Sequence, residues 1–141
     1  MIPYALEGLI EIRLTSQLDD SWLILRAASL QGMPRQYNHS IYVIPQELEI
    51  AEQRRGQVAL METVTVVTVV RNAGSQISGI DSRFEAGPML AEIVESLLGW
   101  VPGEGYEALQ MASAPNPEFD AGFGFYPLAF RTRYILSGGS R

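Results

Sequence analysis

The chain has no cysteine and no lysine, a single histidine, and no apolar run approaching the ~20 residues a membrane-spanning helix requires. Without cysteine there is no disulfide framework, no thiolate nucleophile and no thiolate metal site, and a reducing interior is the expected setting. His39 sits in the polar stretch RQYNH with no Ser, Cys or carboxylate at a meaningful spacing, so it reads as a solvated loop residue and no triad can be assembled. Neither H-x-x-x-H nor D-x-D-x-D spacing occurs, which argues against zinc and calcium sites. The glycine pair GFG at 122–124 runs into a strand containing Pro127 rather than into a helix. It therefore reads as a turn or bulge, not a phosphate cradle. Glu92 and Glu95 fall three apart on a predicted helix, the pattern of a solvated face. No catalytic residue, cofactor or metal is expected. Glu7 and Glu11 interrupt the N-terminal stretch where a secretion signal would be unbroken and apolar. The sequon Asn38-His39-Ser40 reads as a chance match.

What is present is a chain of 141 residues, 47% hydrophobic, long enough for one domain that buries about 70% of its unfolded surface. The expectation is a single domain over 1–136 with a frayed tail at 137–141. Sixteen acidic residues against ten basic ones give a net charge of −6, so counterion release on a phosphate backbone is not an expected mode of binding. All ten basic residues are arginine, which codon bias explains and which also suits interfaces built on rigid guanidinium forks.

Periodicity sketches the elements. Leu6, Leu9, Ile10 and Leu14 make one face of a helix predicted over 3–18, with Pro3 in its first turn. Residues 22–25 can open as a short strand and 26–30 as a helical turn, with Gly32 and Met33-Pro34 closing the segment. SIYVIP reads as a strand ending at Pro45, and QELEIAEQRRGQ as an exposed loop or projecting hairpin arm. A long strand follows over 57–71, then a Gly/Ser/Asp-rich connection over 72–87. Pro88 is expected to start a helix whose stripe is Leu90, Ile93, Val94 and Leu97, with Gly99 as its stop. Strands over 106–111 and in FYPLAFRTRYIL complete the pattern. The fold class expected is α+β: a mixed or antiparallel sheet of about four strands with two or three helices on one face.

The stretch METVTVVTVVRN poses a problem for that sheet. Alternation puts Val64, Val66 and Val70 on one face with Glu62 and Thr68, and Val67 and Val69 on the other with Met61, Thr63 and Thr65. Two short helices cover one face only. A second copy of the chain is the expected cover for Val67 and Val69, with an intramolecular fold-back as the alternative.

The order of IYVIP, a charged loop ending at Gln57, a long valine strand, a Gly/Ser/Asp connection, a helix, LLGWVP at 97–102 and a terminal hairpin resembles the tail terminator proteins of long-tailed bacteriophages. The most specific segment is Leu98-Gly99-Trp100-Val101-Pro102, similar to the family's helix-ending L-x-G-W-x-P, followed by a strand containing Leu109. Where the family carries paired glycines after that leucine, this chain has MASAPNP. The resemblance covers about residues 41 to 136. It implies a structural virion protein made in the host cytoplasm: a six-subunit ring that caps the tail tube, stops its growth and offers a surface for head-tail joining. The implied partners are further copies of the chain, tube protein, a neck or head-completion protein and, in a contractile tail, sheath protein. DNA would pass through such a ring without being specifically bound. Another neck or tail-completion protein is the nearest alternative, and a small-molecule-binding or enzymatic domain a remoter one. Residue patterns add candidate sites: Val67, Val69, Arg54 and Arg55 at subunit or tube contacts, Glu47, Glu49 and Glu52 lining the passage, and Gly99, Trp100 and Pro102 as structural residues.

Overall fold

Eight elements follow one another in the computed structural model, which describes residues 1–29, 38–71 and 80–138. They are α1 (Leu6–Gln17), β1 (Leu23–Arg26), β2 (Ser40–Arg54), β3 (Gln57–Arg71), α2 (Ile80–Leu97), β4 (Gln110–Ala112), β5 (Glu118–Asp120) and β6 (Phe123–Ser137). The six strands form one mixed sheet in the order β1-β2-β3-β6-β4, with β5 also pairing with β6. Among the described residues only the β1–β2 pair is parallel. The α+β class and the mixed sheet match expectation. The strand count does not, because two three-residue strands and the four-residue β1 join three strands of fifteen.

β3 spans the predicted 57–71, whereas β2 outran its predicted limit for a physical reason. β2 continues past Pro45 to Arg54, so QELEIAEQR is the ascending half of a hairpin closed by Arg55-Gly56, with Gly56 at φ 74. Proline is tolerated on edge strands and at bulges, and both conditions hold. β1 pairs with β2 only as far as Val43, and the β2–β3 register shifts between Pro45 and Glu47. The strand expected over 106–111 is reduced to β4, since Tyr106 closes a turn onto Gly103 and Glu107 alone donates its N–H to Arg133 across 3.1 Å.

Both helices start elsewhere than proline suggested. Pro3 lies ahead of α1, in a turn with Tyr4 at φ 66, because the Tyr4 N–H is donated to the Glu62 carboxylate at 3.3 Å instead of facing a helix axis. α1 begins where its buried stripe begins: Leu6, Ile10, Leu14 and then Leu18. α2 begins at Ile80 and carries Pro88 inside it. An interior proline costs about 3 kcal/mol, a loss the continuous burial of Ala86, Met89, Ile93 and Leu97 on the sheet offsets. The predicted connection over 72–87 is thus helical from Ile80, while its first part, like Gly32 and Met33-Pro34, lies outside the described residues.

The helices cover the expected face. Leu6, Ile10, Leu14, Met89, Ile93 and Leu97 pack with Ile41, Val43, Val64, Val66, Leu109 and Phe130 in one cluster. Val70 joins Ala86 and Tyr126 beside it. The opposite face is where the expectation changes. Val67 and Val69 are 0% exposed within a single chain, in a cluster with Tyr42, Ile44 and Phe125 against which Leu25, Ala27 and Phe123 also pack. Register contributes to this: Tyr42 stands opposite Val67 on β2 and Phe125 opposite Val69 on β6, so the flanking strands set large side chains beside the small valines, and Leu25, Ala27 and Phe123 pack against the same cluster. Neither valine offers surface to a second copy, which corrects the expectation that they form a subunit contact.

Candidate assembly surface

Beyond the helix-packed cluster, which ends at Val64 on β3 and Phe130 on β6, the three long strands run on together. This arm comprises residues 46–54, 57–63 and 131–137, and it projects on the order of 20 Å at the usual rise per residue. Its helix-side face is apolar, with Leu48, Ile50, Val58, Leu60, Tyr134 and Leu136. Ile50 is 64% exposed there. Its outer face is charged: Glu47, Glu49, Glu52 and Arg54 on β2 stand across Gln57, Ala59, Met61 and Thr63 on β3 from Arg131, Arg133 and Ile135 on β6.

The outer face has its own wiring. The Glu52 carboxylate accepts from Arg54 Nε at 2.7 Å and from Arg133 at 3.0 Å, and Arg133 reaches Glu107 at 3.6 Å. Thr65 donates its hydroxyl to Gln46 at the bulge. These groups line a shallow depression bounded by Glu52, Arg54, Gln57, Ala59, Arg133 and Ile135. Glu47 and Glu49 are exposed and enter no ion pair among the described residues, and neither do Arg55 and Arg131. The Nε of Arg131 is buried without a hydrogen-bond partner among the described residues. Of the three glutamates expected to line a passage, then, Glu52 is held by arginines while Glu47 and Glu49 stay free. Arg54 folds back on Glu52, and Arg55 occupies the hairpin tip.

At the root of the arm, the helix-side face buries a carboxylate. Glu62 is 2% exposed and accepts from the Tyr134 hydroxyl at 2.7 Å and from the Tyr4 N–H at 3.3 Å. Tyr106 packs edge-on against Tyr134 with centroids 5.2 Å apart, and any Cβ at Gly105 would strike the Met1 side chain. The N-terminal residues are thereby strapped across the sheet. Burial raises the Tyr134 hydroxyl far above the ordinary 10.0, helped by its hydrogen bond to the Glu62 anion and that anion's charge. Burial raises Tyr106 too, with the Glu62 charge adding to it. A tyrosine whose folded-state pKa is raised holds its proton more tightly folded than unfolded. Its stabilisation is fully present below pH 10 and is lost as pH rises toward the folded value. Chemical denaturation should therefore show stability falling above about pH 10, with Tyr134→Phe flattening that dependence. At neutral pH the same variant should lose about 1–3 kcal/mol, since Glu62 keeps only the Tyr4 N–H. An unchanged alkaline profile would mean that Tyr134 is not the responsible group.

The helix-ending segment is also built as the pattern suggested. Gly99 adopts φ 80, Trp100 is half-buried against the helix-packed cluster, and the Arg13 guanidinium lies 5.2 Å from the indole centroid. Pro102 follows, half-buried. Sequence reasoning missed Glu62, Tyr134, Arg131 and Arg133. A signal existed for Glu62, an acid in register with Val64 and Val66 on the core face. Among the described residues no group of three or more His, Cys, Asp or Glu is placed to hold a metal, and no helix is long and apolar enough to cross a membrane.

Comparison with known proteins agrees with this architecture. No curated protein matches the chain. Among solved structures it is similar to a chain of the virion of a native gene transfer agent (GTA) particle, with TM-score 0.52 and 16% identity over 94% of this chain and 99% of that one, a likeness of fold. The family model for the phage tail terminator protein matches residues 1–140, and the chain belongs to that family of phage tail structural proteins.

Proposed function

We propose that the protein is the terminator itself: a hexameric ring that caps the tail tube, ends its polymerisation and presents its far side to the neck or head-completion protein. The observation that carries this reading is the family match over 1–140. The arm supports it, because beyond the buried Leu60, Glu62 and Tyr134 at its root the three strands leave an apolar strip at Leu48, Ile50, Val58 and Leu136 that a neighbouring subunit would bury. A heterologous contact closing by rotation yields a ring. The net charge of −6 per copy suits a ring through which DNA passes without adhering.

Light scattering tests the ring directly. The expected free assembly has six times the mass of the 15.6 kDa chain, and with tube protein present growing tubes acquire one blunt, non-extending end that carries the protein. A chain that stays at 15.6 kDa with tube protein, and leaves tube growth unchanged, would overturn the proposal.

A further inference from the structure

α2 packs on the sheet through Ala86, Met89, Ile93 and Leu97, and its side turned away from the sheet is apolar as well. Phe84, Ala91 and Leu98 fall seven residues apart, about two turns each, and so share one stripe. All three are exposed, Phe84 at 79%, more than any other large apolar residue among the described ones. Leu98 lies just past the helix but keeps the helical bond, its N–H donated to the Val94 carbonyl at 2.8 Å. Gly87 and Pro88 are exposed beside the stripe, and a Cβ at Gly87 would meet nothing within 4 Å, so its middle is shallow and open. A helix that buries one face on a sheet ordinarily turns charge to water on the other. Here the charge is confined to Glu95, between Ala91 and Leu98, and Glu92 at the margin. Both are exposed and enter no ion pair among the described residues.

The arm is the complement of this stripe in length, polarity and charge. Its apolar strip runs on the order of 20 Å, and Phe84 to Leu98 spans about 21 Å of helix. Arg55 at the arm's tip is exposed and enters no ion pair among the described residues. The helix-side face of the arm holds no acid to receive it except Glu62, which is buried and already taken by Tyr134 and Tyr4. Two arms meeting strip to strip would therefore leave both Arg55 side chains without a carboxylate. Two α2 stripes meeting across a two-fold would set Glu92 and Glu95, near the stripe's midpoint, against the same pair. Arm against α2 joins apolar to apolar and arginine to glutamate. We propose that the arm of one copy lies along the outward stripe of α2 in the next, with Arg55 facing Glu92 and Glu95. The two patches differ, so the contact is heterologous and repeats from copy to copy until the ring closes. This inference rests on the ring reading and gives it a subunit contact. α2 would then be held between two sheets, its own through Ile93 and a neighbour's arm through Ala91.

The test treats the two patches separately. Ile50→Glu spoils the arm and Phe84→Glu the stripe. With those residues 64% and 79% exposed, each variant should keep the wild-type circular dichroism and unfolding midpoint, yet lose ring mass in light scattering with tube protein present. Should Phe84→Glu fail to fold, Ala91→Arg serves in its place, since alanine and arginine are both strong helix formers. Charge reversal reads the tip. Arg55→Glu alone and Glu92→Arg/Glu95→Arg alone should each lower the ring fraction. All three substitutions in one chain should restore it, because every contact again pairs arginine with glutamate. The chain has no cysteine, so one can be placed in each patch. Chains carrying Ile50→Cys mixed with chains carrying Ala91→Cys should be joined in pairs by a bis-maleimide, while either chain alone stays unlinked. Linking of Ala91→Cys chains to one another would put α2 against α2 and overturn the contact. If wild-type rings form but Phe84→Glu and Ala91→Arg ring equally well, the contact is wrong while the ring stands. The same holds if those variants ring normally and lose only their hold on the tube, which would make tube protein the occupant of the stripe. If wild type itself stays monomeric with tube protein, the ring and the contact fall together.

Discussion

Val67→Glu is expected to unfold the chain, not to yield a folded monomer that fails to assemble. The substituted carboxylate would enter a cluster of Tyr42, Ile44, Val69 and Phe125 in which Val67 is 0% exposed. No arginine stands opposite Val67 on either flanking strand, where the register partners are Tyr42 and Pro127. An unpaired buried charge of this kind costs about 4 kcal/mol or more, a large share of the roughly 5–15 kcal/mol by which such a domain is stable. Circular dichroism and a urea titration would read it, with Val67→Ala as the graded control at about 2 kcal/mol. A folded Val67→Glu monomer with an unshifted midpoint would show that this face opens in the free chain and is closed by another copy.

How much of this was legible depends on the range over which each residue finds its partner. The helix-covered face was readable because Val64 and Val66 alternate with polar residues, and the stripes of both helices repeat at helical spacing. The cover over Val67 and Val69 was harder, since it comes from residues across the register. Yet Tyr42 and Ile44 alternating with Ile41 and Val43 already marked β2 as apolar on both faces. Proline misled in two places. Pro45 and Pro88 read as a strand end and a helix start, whereas an open edge beside a bulge and a well-buried helix face accommodate them inside their elements. The alternation of Glu47, Leu48, Glu49 and Ile50 was the stronger signal, and it continued past Pro45. The arm's electrostatics were the least legible part. Glu62 meets Tyr4 at a separation of 58 residues and Tyr134 at 72, and Glu52 meets Arg133 at 81. Local pattern carries no trace of such pairings.

The other large effect is expected at the end of α2. Trp100→Ala should lower stability by about 3 kcal/mol, the low end for deletion of a large aromatic, because the indole is half-buried rather than enclosed. The ring packs on the helix-covered cluster, and the Arg13 guanidinium 5.2 Å above it is itself anchored by an Nε hydrogen bond to the Ser96 carbonyl at 3.0 Å. Arg13 thus ties α1 to the end of α2 through one indole. Around the ring the backbone is clamped: Gly99 donates to the Leu109 carbonyl and Leu109 to the Trp100 carbonyl, each at 2.9 Å. Loss of the indole therefore loosens the helix end, the α1 contact and the lead-in to β4 together. Gly99→Ala separates packing from backbone. A Cβ there meets nothing within 4 Å, so its cost is only that of φ 80, about 1–2 kcal/mol. The expected order of unfolding midpoints is wild type, Gly99→Ala, then Trp100→Ala, with Trp100→Phe between wild type and the alanine variant. If Trp100→Ala left the midpoint in place but weakened binding to tube or neck protein, the indole would be a docking residue and not a pin for the helix end.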